Sequence, residues 1–408
     1  MRTRIENVRL VQDGQIRPAV ILVNGEKVEA VLPAGAKPEA EAVIDGGGRY
    51  LSHGFVDIHT HGGGGHDFMD ATEEAYLGAA KMHASHGTTG LAVTTLAASK
   101  EEILESFAVY ERAKGKSEGA RLLGIHLEGP YLSPAQSGAQ DPKYIRTPKR
   151  EEYEEIVNAC PDILRWTIAP EVPGALELAD FLRERGILPS MGHTDATYEQ
   201  VKEALPHGFN HVTHLYSATS TIIRVKGFRH PGVLESAYLL DDLTVEIIAD
   251  GCHLPAPLLQ MVYRFIGPKR TALITDSMRG AGMPEGESIL GSLKNGQKVV
   301  IEDGVAKLLD RSAFAGSVAT TDRLVRNMVE LAGASLPDAV RMATETPARI
   351  LGKSDALGRV AVGRNADLVI FDSNIRIAPS LPPVEELEQA IQVLCACLKL
   401  SALEEYLK

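Results

Sequence analysis

Eight short apolar runs alternate with helical patterns along the middle of the chain, and this alternation constrains the fold more than any other feature. Each run is predicted to be a strand: Phe55–His59, Thr89–Thr95, Leu122–Leu127, Arg165–Ala169, Leu188–Met191, His211–His214, Thr244–Ile248 and Ala272–Thr275. The helical patterns between most of them are Thr72–His86, Lys100–Lys114, Pro148–Asn158, Pro173–Arg185 and Tyr198–Leu205. Strands that alternate with helices form a parallel sheet. Eight such units predict an α/β fold with a closed (β/α)8 TIM-like barrel.

The two ends of the chain are predicted to be rich in β-structure. Near the N-terminus, Ala19–Val23 and Val28–Leu32 flank the turn residues Asn24-Gly25. After the eighth strand the patterns predict a hairpin, two helices and two strands: Gly286–Asp310, Ala319–Ala332, Leu336–Leu351, Gly358–Gly363 and Asp367–Asp372. We therefore expect a small β-sandwich domain from residues 1–52 and 353–380, a catalytic barrel over 53–352 and a C-terminal helix over 381–408.

Composition excludes several classes of function. The 54 acidic and 42 basic side chains give a net charge of −12, which argues against a nucleic-acid-binding protein. No apolar run approaches the eighteen or so residues of a membrane span, and the N-terminus has no apolar signal core. Four scattered cysteines are too few for a disulfide framework. The sequence therefore predicts a cytoplasmic protein with no membrane or nucleic-acid partner.

Polar or ionisable side chains stand at the ends of five predicted strands. They are the pair His59 and His61, then Glu128, His193, His214 and Asp276. A parallel barrel gathers the ends of all its strands at one face, so these residues are expected to be neighbours in space.

A carboxylate and two histidines from three strand ends are typical of a metal site. Taken singly, Glu128 is also compatible with a structural arginine pair, and His193 and His214 with core histidines. Together they suit Zn²⁺ with one open position. His59 and His61 are two apart on a strand and so point to the same face, where they are candidates for a second ion or for structural roles.

Asp276 is the candidate general base. A carboxylate beside an ion that lowers the pKa of water can take a proton and later return it to a leaving group. The alternative is a carboxylate that caps a turn or supports a neighbouring ligand. The whole set predicts metal-dependent hydrolysis of a carbonyl or phosphoryl bond.

Seven motifs carry a resemblance to a known family. They are Gly54-Phe55-Val56-Asp57-Ile58-His59-Thr60-His61-Gly62, His126-Leu127-Glu128-Gly129-Pro130-Tyr131, Gly192-His193-Thr194, Thr213-His214-Leu215, Asp250-Gly251-Cys252-His253, Thr275-Asp276 and Ala315-Gly316-Ser317. In this order, over roughly residues 1–372, the chain resembles the amidohydrolase superfamily and within it the N-acetylglucosamine-6-phosphate deacetylases. The resemblance implies that Glu128, His193 and His214 hold a catalytic zinc and that Asp276 is the acid/base.

The resemblance also implies a set of substrate contacts. His253 would orient the acetylated sugar or its phosphate. In a homodimer, Arg229 of one subunit would bind the phosphate of the substrate held in the neighbouring subunit. Further substrate contacts are expected at Gln140, Ser217, Ala218 and Phe314. Two departures affect the choice of substrate. Gln140 stands where relatives have histidine, and the segment from His214 to Arg229 is longer than usual.

The expected function is zinc-dependent deacetylation of N-acetylglucosamine-6-phosphate to glucosamine-6-phosphate and acetate. One zinc ion is expected, a second is compatible with the histidine pair, and other divalent ions stay open. The alternatives are N-acetylgalactosamine-6-phosphate or another acylated amino sugar as substrate, a cyclic amidase similar to dihydroorotase, and a non-catalytic metal-binding barrel.

Overall fold

The computed structural model of the protein describes residues 1–378, and its strands and helices are numbered here in chain order. The strands are β1 (Arg2–Gln12), β2 (Gln15–Asn24), β3 (Lys27–Pro33), β4 (Ala42–Asp45), β5 (Tyr50–His53), β6 (Phe55–Thr60), β7 (Gly62–Gly63), β8 (His66–Asp67), β9 (Thr88–Thr95), β10 (Arg121–Glu128), β11 (Ile163–Ile168), β12 (Leu188–Met191), β13 (His211–Val212), β14 (Ile223–Val225), β15 (Phe228–His230), β16 (Thr244–Ile247), β17 (Thr271–Leu273), β18 (Gly286–Leu290), β19 (Gln297–Glu302), β20 (Val305–Leu308) and β21 (Leu368–Phe371).

The α-helices are α1 (Glu73–Ser85), α2 (Lys100–Ala113), α3 (Arg150–Ala159), α4 (Ala175–Arg183), α5 (Tyr198–Ala204), α6 (Val233–Leu239), α7 (Ala256–Phe265), α8 (Thr321–Glu330), α9 (Leu336–Ala343) and α10 (Glu345–Ile350). Local sequence sets their ends. At α2, the Ser99 hydroxyl accepts from the Glu102 amide while the Glu102 carboxylate accepts from the Ser99 amide, a reciprocal cap. In residues 1–378, no helix combines the length and apolar character that crossing a bilayer requires.

The eight predicted barrel strands are confirmed. They form one sheet in the order β17-β16-β13-β12-β11-β10-β9-β6, and every neighbouring pair is parallel. Just past the edge strand β17, the Asp276 amide donates to the His59 carbonyl of the other edge strand, β6, at 2.9 Å, which brings the edges together. The carboxyl ends of all eight strands therefore face one mouth.

Apolar packing surrounds the barrel, while its interior is charged. Between the strands and the helices, the rings of Tyr131 and Trp166 stack at 5.3 Å within the largest apolar cluster. The inside of the barrel, which branched apolar residues usually fill, instead holds fully buried polar side chains: His126, Arg165, His211 and Glu246. This interior lies directly beneath the mouth.

A second, mixed sheet joins the two ends of the described chain. Its order is β21-β5-β1-β2-β3, with β4 beside β1, and β21 pairs antiparallel with β5. The prediction that N- and C-terminal segments form a small β-rich domain is thus confirmed in its sheet, which contains strands from both segments. The residue boundaries of the domains stay a prediction, and the helix predicted over 381–408 lies outside the described residues.

Two predictions after the barrel are wrong. The segment Gly358–Gly363, which was predicted to be a strand, is irregular and ends in a turn, because both of these glycines have left-handed backbone (φ 86° and 84°). The single helix predicted over Leu336–Leu351 is two helices. Pro347 is the reason, since its ring would clash with the carbonyl four residues earlier, at Ala343, where α9 ends. The hairpin predicted over Gly286–Asp310 is confirmed as the antiparallel sheet β18-β19-β20.

Candidate metal centre

Glu128, His193 and His214 meet at the mouth although 86 residues of sequence separate the first from the last. Glu128 ends β10, and the two histidines follow β12 and β13. The Oε1 atom of Glu128 lies 3.1 Å from Nε2 of His193 and 2.9 Å from Nε2 of His214. The two Nε2 atoms are 3.2 Å apart. Three possible ligand atoms therefore converge on one point.

The backbone at three of these strand ends is left-handed. His193, His214 and Asp276 have φ of 48°, 28° and 47°. Such a conformation is uncommon for residues other than glycine and is costly, so surrounding structure must impose it. Each residue leaves the direction of its strand here, and its side chain is directed into the mouth. No sequence pattern signalled this feature.

Backbone carbonyls fix the orientation of the first two imidazoles. The Nδ1–H group of His193 donates to the Gln136 carbonyl at 2.8 Å, and that of His214 donates to the Ser217 carbonyl at 3.1 Å. With the proton on Nδ1, each Nε2 presents a lone pair. Both lone pairs are aimed at the Glu128 carboxylate, an arrangement that a cation between them would stabilise.

His59 and His61 form a second group against the same carboxylate. Nε2 of His61 lies 3.2 Å from Oε2 of Glu128, and Nε2 of His59 lies 3.6 Å from Oε1. Both imidazoles are buried. His59 Nε2 and His61 Nδ1 have no hydrogen-bond partner within residues 1–378. Buried polar atoms are rarely left so, and a bound ion would satisfy the His59 atom.

Asp276 lies on the side of the second group. Its Oδ1 atom is 3.3 Å from Nε2 of His59 and 3.2 Å from Nε2 of His61. Burial acts to raise the pKa of this carboxyl, but the charges of His59 and His61 outweigh it and hold the pKa below its usual value. The carboxylate is therefore ionised and can accept a proton.

The donor set fits divalent ions. A tetrahedral ion with ligands at about 2.1 Å holds its ligand atoms roughly 3.4 Å apart, and the three separations among Glu128, His193 and His214 are 3.1, 2.9 and 3.2 Å, slightly below that value. Two groups of ligand atoms share Glu128: His59, His61 and Glu128, and Glu128, His193 and His214. Burial raises the pKa of Glu128, but the histidines around it hold that pKa well below the usual range.

Gln140 holds this shared carboxylate in place. Its Nε2 donates to Oε2 of Glu128 at 2.7 Å, and its Oε1 accepts from the Ala97 amide at 2.8 Å. The sequence predicts Gln140 as a substrate contact. The residue does line the pocket, but the partners of its amide are protein groups.

A cavity of about 320 Å³ opens above the metal-ligand candidates. Its lining includes the other substrate contacts predicted on this chain: Ser217, Ala218, His253 and Phe314. Nδ1 of His253 donates to Oδ2 of Asp250 at 2.7 Å, and the His253 ring packs against Phe314 at 4.7 Å. The imidazole is therefore fixed at the wall of the cavity.

Arg229 is the one predicted contact that the structure does not bring to this cavity. It lies on the exposed hairpin β14-β15, across from Arg224, and is not part of the lining. Apolar side chains of the same hairpin also face outward, among them Phe228, which is 74% exposed. Within one chain, Arg229 does not reach the site.

Sequence reasoning missed two buried charges beneath the site, Arg165 and Glu246. Arg165 lies inside β11 and Glu246 inside β16, and each is fully buried. A charged residue within an apolar strand was the available signal, because such a residue needs a partner in the interior. The predicted strands contained both residues, but their pairing could not be read from the sequence.

Comparison with known proteins places the chain in a family. A sequence profile described as the amidohydrolase family matches residues 50–397. An N-acetylglucosamine-6-phosphate deacetylase of Lysinibacillus sphaericus is 35% identical over 343 residues, which cover 81% of this chain and 84% of that protein. The chain belongs to the N-acetylglucosamine-6-phosphate deacetylase family of amidohydrolases. Membership, together with the two His/Glu groups, suggests a divalent metal.

Two further members extend this comparison. The crystal structure of N-acetyl-D-glucosamine-6-phosphate deacetylase from Mycobacterium smegmatis is 31% identical, with a TM-score of 0.84 over 93% of this chain and 97% of that one. An N-acetylgalactosamine-6-phosphate deacetylase of Escherichia coli O157:H7 is 31% identical over 84% of this chain and 89% of that protein. The chain is thus similar both to deacetylases named for N-acetylglucosamine-6-phosphate and to one named for its galactosamine epimer.

Proposed function

We propose that the protein hydrolyses the N-acetyl group of N-acetylglucosamine-6-phosphate, giving glucosamine-6-phosphate and acetate. The observation that carries this proposal is the convergence of Glu128, His193, His214 and Asp276 at one cavity, in a chain of this family. A buried site with imidazole and carboxylate ligands beside an ionised carboxylate suits amide hydrolysis.

Glu128, His193 and His214 would hold one ion, and the proposed ion is Zn²⁺. Mixed nitrogen and oxygen ligands with an open position are typical of hydrolytic zinc. When bound, the ion polarises an amide carbonyl and lowers the pKa of water to about 7. His59 and His61, with Glu128 shared between the groups, would hold a second ion.

Asp276 is proposed to move the proton. Its ionised carboxylate takes a proton from the attacking water as the new C–O bond forms. It then gives that proton to the amide nitrogen as the C–N bond breaks, so the sugar leaves as a free amine and the acetyl group as acetate. The position of Oδ1 beside the His59 and His61 imidazoles supports this role.

The cavity wall supports binding of a sugar. His253, which Asp250 and Phe314 hold in place, is proposed to orient the acetylated sugar. Ser217, Ala218 and Phe314 would contact the ring. Gln140 acts by holding Glu128, as well as lining the cavity.

A homodimer is proposed to complete the site. The outward-facing apolar residues of the hairpin segment suit burial against a second copy: Ile222, Ile223, Val225 and Phe228. Arg229 on the same hairpin would then bind the 6-phosphate in the neighbouring subunit, since a guanidinium pairs with phosphate through two hydrogen bonds.

The direct test is acetate release by zinc-loaded protein from N-acetylglucosamine-6-phosphate, from its galactosamine epimer and from unphosphorylated N-acetylglucosamine. We expect the glucosamine phosphate to give the highest kcat/KM. The likeness to the galactosamine deacetylase favours the epimer as the second candidate, and a reversed preference would select it. Absence of acetate from all three sugars would reject the proposal.

A further inference from the structure

A charged pair lies at the centre of the barrel, one layer below the metal centre. Arg165 donates from both terminal nitrogens to Glu246, with Nη2 at 2.7 Å from Oε1. Both side chains are fully buried. His211 adds a contact at 3.3 Å from its Nε2 to Oε2 of Glu246. None of these groups touches the substrate cavity.

One oxygen of this pair reaches the metal centre. Oε1 of Glu246 accepts the Nδ1–H group of His59 at 2.8 Å. In the neutral imidazole, the form that binds a metal ion, this contact fixes the proton on Nδ1, so the Nε2 lone pair of His59 is directed toward Glu128 and Asp276. The imidazoles of His193 and His214 obtain the same orientation from backbone carbonyls. Oε1 of Glu246 also meets the backbone amide of His214, but at a longer distance of 3.4 Å, and it does not contact that imidazole.

Arg165 compensates the charge of Glu246 in this interior. Each of its terminal nitrogens donates to one carboxylate oxygen, so both oxygens have a donor from the guanidinium. A buried ion pair is a poor source of stability, because apolar residues of similar volume often serve the fold equally well. The contact with His59 gives this ion pair a role that apolar residues could not fill, because they cannot accept the proton of an imidazole.

We propose that Glu246 is a positioning residue that orients His59 for a divalent ion, and that Arg165 holds Glu246 in place for this task. The inference rests on the proposed metal centre and deepens it. Occupancy of the site formed by His59, His61 and Glu128 then depends on Glu246, whereas occupancy of the site formed by Glu128, His193 and His214 does not.

The test counts ions in variants. Glu246→Met combined with Arg165→Met removes both charges together with the acceptor of the His59 proton, so neither charge is left unpaired. Glu246→Asp keeps the charge but withdraws the carboxylate from His59. Bound zinc per chain is measured after equilibration at fixed free Zn²⁺, with calorimetric titration of metal-free protein. We expect two ions in the wild type and a second-site affinity about 10- to 100-fold weaker in both variants, the usual effect of removing such a support.

Glu152→Gln combined with Arg146→Met is the matched control, because it also removes both charges of an ion pair but one that does not contact the ligand candidates. It should retain both ions at wild-type affinity. A folded Glu246 variant that binds two ions as tightly as the wild type overturns the inference, and so does a variant that loses both ions. A wild type that binds one ion and releases acetate overturns the inference alone. A wild type that binds no ion and releases no acetate rejects the proposed function as well.

Discussion

The two halves of the metal centre share Glu128 but are supported in different ways. In the first half, His193 and His214 are oriented by the carbonyls of Gln136 and Ser217. In the second half, formed by His59 and His61, His59 is oriented by the buried carboxylate of Glu246. His61 has no partner for its Nδ1 atom within residues 1–378.

The two halves therefore depend on the rest of the chain to different degrees. Backbone carbonyls are present whatever the side chain, so the support of the first half is lost only if the local backbone changes. The second half depends on two buried charges from β11 and β16. We therefore expect the first half to bind its ion more tightly, and substitutions elsewhere in the barrel to affect mainly the second.

The largest effect is expected in the first half. His193→Ala or His214→Ala should remove the ion held there and reduce acetate release to background, because two remaining ligands are too few for a stable site. Metal analysis and an acetate assay on the same samples check this. His207→Ala, at a partly exposed histidine paired with Asp180, is the control and should change neither. Full activity in both ligand variants would remove the metal centre from the mechanism.

Next in size is the effect of Asp276, which lies on the second half. Asp276→Asn keeps the side-chain size but cannot accept the proton, so kcat should fall by about 10²- to 10⁴-fold with the first ion still bound. Because the reaction needs the ionised carboxylate, wild-type kcat/KM should fall as the pH drops. In the variant this acid limb should move or flatten, because the Asp276 carboxyl no longer titrates together with its neighbours. Near-normal turnover with an unchanged acid limb would leave the base unidentified.

A smaller effect is expected outside both halves, at Arg229. Arg229→Ala should raise KM for the phosphorylated sugar by about 10- to 1000-fold, as for the loss of a charge-assisted contact. It should hardly affect an unphosphorylated analogue. Arg224→Ala is the matched control, since Arg224 is the exposed cation opposite Arg229 on the same hairpin. Equal losses on both sugars would limit Arg229 to a structural role.

The smallest effect concerns the pH dependence of stability in the second half. In metal-free protein, burial acts to lower the pKa of His59 and His61. The carboxylates of Asp276 and Glu128 outweigh this effect and raise the two pKa values to about 9 and about 10, respectively. Raised pKa values stabilise the fold fully below the unfolded value of about 6.5, and this contribution is lost as pH rises through 9 to 10. The Tm of metal-free protein should therefore fall over this range, and the fall should be smaller with His59→Gln and His61→Asn combined. An equal fall in both proteins would assign it to other groups.

The barrel and its ligand candidates could be predicted from the sequence because both follow simple rules. Apolar runs that alternate with helices determine a parallel barrel, and polar residues at the ends of its strands, such as Glu128 and His193, are brought to one mouth. The roles of these residues stay predictions. The orientation of the imidazoles could not be foreseen, because it depends on left-handed backbone at His193 and His214 and on a carboxylate 187 residues from His59.

Other parts of the structure depend on contacts that no local pattern encodes. Gln140 was predicted from its position near the site, but its partners are Glu128 and the Ala97 amide. The break between α9 and α10 is an exception, because Pro347 is a local cause of it. The helical periodicity on both sides of Pro347 nevertheless predicted one continuous helix.

Anomalous X-ray diffraction from zinc-loaded crystals would locate the ions directly. We expect two peaks on either side of the Glu128 carboxylate, one beside His193 and His214 and the other beside His59 and His61. The peak beside His59 should be the weaker when zinc is limiting. A single peak away from Glu128, or no peak within this cavity, would show that Glu128 is not the shared ligand of a metal centre.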